Sequence, residues 1–451
     1  MSAATVTATF ASGRRQIVDV RRRMLLTAKW RLIQVLLLFA LLALIAVTRT
    51  IFLGLFESKA SDQDMSLALL PQRADIVDRN GVPLARAFDA PSLRFNPKAM
   101  DDGGSPLVNP PEQVAAALVK IFPDMNYQEV VAKLAAGKPC YLRRRILPEE
   151  ANKVHALGEP ALESPFETER LYPQGFLAAH VLGFVDANGH GQVGMEQALD
   201  KRLTDSSMRG VPSVLSIDTR VQGALEDELL QGIRDTEAKG AAGVVLDVDT
   251  GEILALASLP SFNPNLIDGS GAANIFNRMT NQVYELGSVI KPITIASAID
   301  AGVVTNLARR YPSGQPLKID GREIHDSHNF GPSLNVPEAL IHSSNIVTAQ
   351  VADELGGPRL NATMSSLGMN ERPYIELPAR GKPLWPGANW SRITTMTVSY
   401  GHGIAVTPLH LAAAYAALVN GGIWRPTTLT RLQPGQVPAG RRVFKASTSA
   451  R

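Results

Sequence analysis

Ser288 and Lys291 stand three residues apart in the run Tyr284-Glu285-Leu286-Gly287-Ser288-Val289-Ile290-Lys291-Pro292, and Ser-x-x-Lys occurs nowhere else in the chain. A spacing of three puts two side chains on one face of a helix, within reach of each other. A hydroxyl is a weak nucleophile until a neighbouring base takes its proton, and an uncharged lysine amine can be that base. At the N-terminal end of a helix, Ser288 also meets the positive end of the helix dipole, which favours negative charge developing there. The pattern points to serine nucleophilic catalysis; the plain alternative is a capping serine beside a surface lysine. A second serine motif is expected across the cleft. Ser-x-Asn triplets begin at Ser261, Ser327, Ser333 and Ser343. Ser343-Ser344-Asn345 is preferred because it falls between two helical patterns, 337–342 and 346–355, where a short connection projects polar groups. Ser327-His328-Asn329 is its competitor, and the others read as turn chemistry.

Several elements must position these groups. Apolar periodicity and the stop at Gly302 predict a helix over 289–301, with Pro292 tolerated in a first turn whose N–H groups lack intrahelical partners. Upstream, 213–218 reads as a short strand, and Thr219 as the N-cap of a helix to 233. A hairpin follows, with strands over 243–248 and 252–258 around Asp249-Thr250-Gly251, a turn that needs positive φ near its glycine. Thr407-Pro408 opens the last long helix, which Asn420-Gly421-Gly422 closes. Strands first and helices later predict an α+β domain, helices packed on an antiparallel sheet. An earlier region, from about 58 to 211, mixes α and β signals: a tight turn at Asn80-Gly81 and helices over 112–122 and 127–136. It contains one decoy. Gly189-His190-Gly191-Gln192-Val193-Gly194 matches G-x-G-x-x-G between an expected strand over 180–185 and an expected helix over 195–203, with Asp218 at the distance of a ribose contact. The intervening helix is short for a βαβ crossover, and the segment lies on the wrong side of a membrane for a dinucleotide.

That side follows from the N-terminus. Residues 32–56 form a strongly apolar run of 25 residues, enough to cross a hydrocarbon core of about 30 Å. Seven basic side chains and a single acid, Asp19, precede it. This predicts an uncleaved signal anchor with its N-terminus in the cytoplasm and everything beyond about residue 57 outside. The chain of 451 residues carries +3 in total, yet +6 of that belongs to residues 1–31 and the rest is at −3, which argues against nucleic-acid binding. One cysteine, Cys140, excludes an intramolecular disulfide framework and a thiolate zinc site, and among the eight histidines His325 and His328 are three apart but lack the carboxylate or cysteine partners of a zinc set.

Taken in order, several runs are similar to the class B penicillin-binding proteins, the membrane-anchored D,D-transpeptidases of peptidoglycan synthesis, and most of all to their division-specific septal members. They are Asp78-Arg79-Asn80-Gly81, Arg170-Leu171-Tyr172-Pro173 with Ala178-Ala179-His180-Val181-Leu182-Gly183, Ser288-Val289-Ile290-Lys291, Ser343-Ser344-Asn345, and Tyr400-Gly401-His402-Gly403 leading into Thr407-Pro408. The resemblance implies a cytoplasmic tail (1–31), a transmembrane anchor (32–56), a mixed α/β pedestal resembling a dimerisation domain (57–212) and a penicillin-binding transpeptidase domain (213–451). It implies that Ser288 attacks the D-Ala-D-Ala carbonyl of a stem peptide, that Lys291 takes its proton, that Ser343 relays a proton to the leaving amine, and that Asn345 holds the peptide amide and steadies Lys291. β-Lactams would acylate Ser288; no metal or organic cofactor is implied. Expected partners are divisome membrane proteins, including a glycan polymerase, at the inner membrane. The family's third motif, K-T-G or K-S-G, is absent from the sequence. The expectation is a transpeptidase domain lacking its C-terminal part, with impaired activity; the alternative is a non-catalytic divisome scaffold.

Overall fold

The computed structural model describes residues 26–49, 72–99, 107–267 and 272–451, within two compact units, Met1–Leu69 and Leu70–Arg451. In the first unit a single helix runs Leu26–Arg49, with mean hydropathy 2.4 and its apolar side chains exposed. At 1.5 Å per residue its 24 residues cover about 36 Å, long enough to span a bilayer core. The described helix takes in Leu26–Arg31, ahead of the expected Leu32, because no Gly or Pro interrupts that stretch and helix propagation needs no apolar residue. Residues 50–56 of the expected span, and the basic tail before residue 26, lie outside the described residues.

The second unit opens with β1 (Ile76–Val77), β2 (Pro83–Pro91) and β3 (Leu93–Phe95). Helices α1 (Pro111–Ile121) and α2 (Tyr127–Ala135) follow, then β4 (Cys140–Arg143) and α3 (Pro148–His155). The region closes with β5 (Leu162–Glu163), β6 (Phe166–Leu171) and β7 (Ser213–Val214). One sheet has the order β6-β2-β1-β7, another β4-β3-β5. Val114, Ala115 and Leu118 of α1, with Val130 and Leu134 of α2, cover Leu93 and Phe95 in a local core. Both helices start where the sequence places them, α1 at a proline and α2 under Asn126, whose side chain accepts from the Glu129 N–H at 3.1 Å.

Asn80-Gly81 does make the turn between β1 and β2, with Gly81 at φ +85°. The organiser is Asp78, fully buried, which accepts from the N–H groups of Asn80 and Val82 at 2.8 Å each. Its other oxygen reaches the Thr219 hydroxyl at 3.0 Å. That contact corrects the expected cap of helix α4 (Thr219–Thr236): Asp218 is the N-cap, accepting from the Arg220 N–H at 3.0 Å, while the Thr219 hydroxyl is spent on Asp78. The expected strand over 213–218 shrinks to Ser213–Val214 for the same reason, since Asp218 already belongs to the cap.

The glycine motif is structural. Residues Ala179–Leu182 form a helical turn, not a strand, and two short helices, Gly194–Ala198 and Asp200–Leu203, replace the single one expected. Gly194 sits at φ +67°, and a Cβ there would lie 2.5 Å from the Gly183 nitrogen, so the two chain segments cross at backbone contact. Beneath the crossing lies a buried ionic knot. Glu196, fully buried, accepts from Arg73 at 2.6 Å and from Arg170 at 2.7 Å.

After α4 come β8 (Ala241–Leu246) and β9 (Ile253–Leu259), an antiparallel pair. Its turn starts earlier than expected because the Asp247 carboxylate accepts from the N–H groups of Asp249 and Thr250, and Gly251 takes φ +82°. Helices α5 (Lys291–Asp300), α6 (Asn345–Leu355), α7 (Arg392–Ser399) and α8 (Pro408–Val419) frame the region that follows. Ile290, Ile293, Val347, Val351, Val406 and Ala414 meet in their shared core. The last long helix starts as expected, with Thr407 as N-cap and Pro408 at its first position.

Candidate active site

Helix α5 begins at Lys291, two residues later than its apolar pattern suggests, and a 3-10 turn, Gly287–Ile290, precedes it. Pro292 explains the offset. In an α-helix the Ser288 carbonyl would accept from the N–H of residue 292, which proline lacks; it accepts from Lys291 instead. A 3-10 turn brings residues i and i+3 into register along the axis, so Lys291 follows Ser288 at the eclipsed position. Ser288 is exposed and its Oγ has no hydrogen-bond partner among the described residues. Lys291 is buried, with 2% of its surface exposed.

The turn is stitched to the segment before α8. Tyr284 and Val406 exchange both backbone hydrogen bonds, at 2.9 and 3.0 Å. The Gly287 N–H donates to the Gly401 carbonyl, and the Gly403 N–H to Glu285 Oε1 at 2.9 Å. The Tyr415 hydroxyl of α8 donates to the Val289 carbonyl at 2.7 Å. At Gly401 the approach leaves no room for a side chain: φ is +85°, and a Cβ would fall 2.1 Å from the Gly287 oxygen. Gly401→Ala is therefore expected to push the Ser288 turn out of place and slow any acylation there by about 100-fold, the penalty typical of a 1 Å misplacement. Time courses of penicillin labelling check this, and a rate equal to wild type would refute it.

Lys291 reaches across to the second motif. Its Nζ donates to the Ser343 carbonyl oxygen and, at 2.9 Å, to Ser343 Oγ. Burial pushes its amine down to about 8, opposed by the negative charge of Asp326. Ser343 adopts the left-handed conformation, φ +55°, at the end of the helical stretch Val336–Ile341. Ser344 then caps α6, accepting from the Val347 N–H at 3.1 Å. The preferred triplet thus lies between two helices and against Lys291, whereas the Ser327 hydroxyl of its competitor bonds its neighbour His328 on an exposed loop. Ser261 and Ser333 bond to the Phe176 carbonyl and to Arg310, away from Lys291.

Two expected contacts are not made. No side-chain hydrogen bond joins Ser288 Oγ to Lys291 Nζ, because the amine is turned toward Ser343. Nor does Asn345 bond Lys291: its amide donates to the His325 carbonyl at 3.0 Å, since Asn345 opens α6 and faces the 325–326 loop.

Asp326 has no place in the sequence reading. Its Oδ2 accepts from the Ser344 hydroxyl at 2.7 Å, and its Oδ1 from the N–H groups of Asn345 and Ile346 at 2.6 and 3.0 Å. It is a capping carboxylate supplied from 18 residues away, and its charge acts on Lys291 as well. The only sequence cue is an acid in a loop, His325-Asp326-Ser327. Asp326→Asn is expected to cost about 1–2 kcal/mol through lost capping bonds. It should also move the Lys291 titration below about 8, because the charge that raises it is gone. Urea denaturation and the pH midpoint of labelling read the two effects separately.

Comparison with known proteins agrees with this architecture. Residues 68–214 match the penicillin-binding protein dimerisation domain, and 241–451 the penicillin-binding protein transpeptidase domain. The probable peptidoglycan D,D-transpeptidase FtsI of Caulobacter vibrioides is 38% identical over 379 residues, 84% of this chain and 63% of that protein. The chain thus spans less than two thirds of that relative's length. FtsI of Escherichia coli K12 is 32% identical, over 83% of this chain and 67% of the relative, and the probable D,D-transpeptidase PenA of Neisseria gonorrhoeae 31%, over 94% and 77%. Among solved structures, penicillin binding protein 3 from Mycobacterium tuberculosis, complexed with aztreonam, superposes with a TM-score of 0.62 at 23% identity, over 84% of this chain and 73% of that one, which shows the shared fold. With both domains matched in order and relatives above 30% identity along most of its length, the chain belongs to the penicillin-binding protein family of peptidoglycan D,D-transpeptidases.

Proposed function

We propose that this chain carries the acyl-transfer residues of a septal peptidoglycan D,D-transpeptidase. The observation that carries the reading is the buried Lys291 amine, held near a physiological titration range and hydrogen-bonded to Ser343 Oγ, one turn from an exposed and unpartnered Ser288. In the proposed cycle Lys291 swings from Ser343 to take the Ser288 proton. Ser288 Oγ attacks the D-Ala-D-Ala carbonyl, and the C–N bond breaks as Ser343 passes a proton to the leaving D-alanine amine and takes its replacement from the Lys291 ammonium. An amine from a second stem peptide then takes the acyl group, releasing Ser288. Asn345 keeps its Oδ1 for the substrate's peptide N–H. β-Lactams acylate the same serine, and the chemistry needs no cofactor. The names of the relatives support the septal assignment.

The domain division 1–31, 32–56, 57–212 and 213–451 belongs to the same proposal, with the apolar helix as a single-pass inner-membrane anchor, its N-terminus cytoplasmic and the bulk periplasmic. Divisome membrane proteins, a glycan polymerase among them, are the proposed partners. A second reading, a non-catalytic scaffold for those partners, is favoured by the lack of a hydrogen bond between Ser288 Oγ and Lys291 Nζ. Incubating membranes with a fluorescent penicillin separates the two. Covalent label that disappears in Ser288→Ala and persists in Ser327→Ala supports the enzyme; a stable chain that never takes label supports the scaffold.

A further inference from the structure

A cavity of about 830 Å³ lies apart from the Ser288 cluster, walled by the end of β4 and the Arg143–Arg145 stretch, by β6 and by the Asp186–His190 loop. The geometry points to a binding site for a short acidic peptide with an apolar side chain. Six arginines line it, against two acids, Glu169 and Asp186.

What decides the case is how many of those cations are already satisfied. Arg73 and Arg170 are held by Glu196 and Asp200 behind the wall, and Arg143 by Asp124 at 2.7 Å. Arg144 and Arg145, however, share the single carboxylate of Glu169, at 3.7 and 3.3 Å. Asp186 gives them nothing, because it accepts from its own loop, from the N–H groups of Asn188 and His190 and from the Gln192 amide. Arg209 has no acidic partner among the described residues, and its buried Nε makes no hydrogen bond. With Glu169 shared between Arg144 and Arg145 and no acid paired with Arg209, the wall keeps positive charge that an arriving carboxylate would balance.

The ligand class follows from the two halves of the cavity. Guanidinium forks match carboxylates in bidentate geometry. The opposite lip is apolar, formed by Pro264, Leu266 and Ile267, with Leu266 72% exposed. An inorganic anion would leave that lip in water, whereas a peptide alternating carboxylates with a leucine or phenylalanine uses both. The volume suits two or three side chains, within the range of about 300–1,000 Å³ usual for ligand pockets.

The test uses the full chain in detergent micelles and two fluorescein-labelled peptides, glutamate-aspartate-leucine-glutamate and lysine-asparagine-leucine-lysine, read by fluorescence anisotropy. Saturable binding of the acidic peptide alone is expected, weakening at least tenfold in Arg144→Glu/Arg209→Glu. Thermal melting shows whether that variant is folded; if it is not, Arg209→Gln is read in its place, with a threefold or greater loss expected. Equal binding of both peptides, unchanged binding in a folded variant, or full displacement by millimolar inorganic phosphate would each overturn the proposal.

Discussion

Replacing Lys291 by alanine is expected to slow acylation of Ser288 by about 10³-fold, within the 10²–10⁴ range that a positioned general base contributes. The wild-type rate is expected to climb with pH and level off above about 8, where the amine has lost its proton. Below that value the ammonium predominates and has no lone pair to offer. Burial is the main cause, so the charged form is the one penalised. The same shift predicts a stability trend of opposite character to that of an ion pair. Because the folded-state value lies below the ordinary 10.5 of a free lysine, the unfolded chain binds the proton more tightly, and between about 8 and 10.5 stability rises with pH. Below about 8 the cost of the buried charge is felt in full. Stopped-flow labelling with a chromogenic β-lactam, run from pH 6 to 10, checks the kinetic half. A flat profile, or a Lys291→Ala variant that labels at the wild-type rate, would remove lysine from the mechanism.

The second large effect concerns stability. Glu196→Gln should destabilise the Leu70–Arg451 unit by about 3–5 kcal/mol, the usual result of removing one partner from a buried ion pair. Glu196 is fully buried and answers two arginines, one from the segment before β1 and one from β6. Neutralising it leaves the buried Arg170 guanidinium without an acidic partner and Arg73 with Asp200 alone. A matched control is Arg86→Ala, which breaks the exposed Arg86–Asp75 pair at 3.0 Å and should cost less than about 1 kcal/mol. Urea denaturation of both variants gives the comparison, and equal losses would show that the knot is not what holds these segments together. Arg73, Arg170 and Glu196 come from three distant stretches of chain, Glu196 just after the G-x-G-x-x-G decoy, so the glycines and the ionic knot serve one purpose, bringing distant chain segments together.

Much of this arrangement can be read locally. Ser288 and Lys291 are neighbours because of a three-residue spacing, and Thr407-Pro408 is a helix start because cap and proline act within one turn. Local reading stumbles where two residues compete for one role. Asp218 and Thr219 are both good caps, and Asp78, 141 residues from Thr219, settles which of them caps α4. Pro292 is visible in the sequence, and its missing N–H accounts for the 3-10 turn ahead of α5, whose Ile290 and Ile293 are held in the core.

Chain order alone therefore fixed the nucleophile candidate, the base one turn on, the apolar anchor and most helix starts, since propensity, capping and hydrophobic period act over only a few residues. The fold had to supply the amine's actual partner, Ser343, and the carboxylate that braces Ser344 and biases the amine. Those contacts span 52 and 18 residues, and they arise when α5 and α6 bury their apolar faces against each other. Packing of that kind is set by shape summed over many side chains, and no short window of residues encodes it.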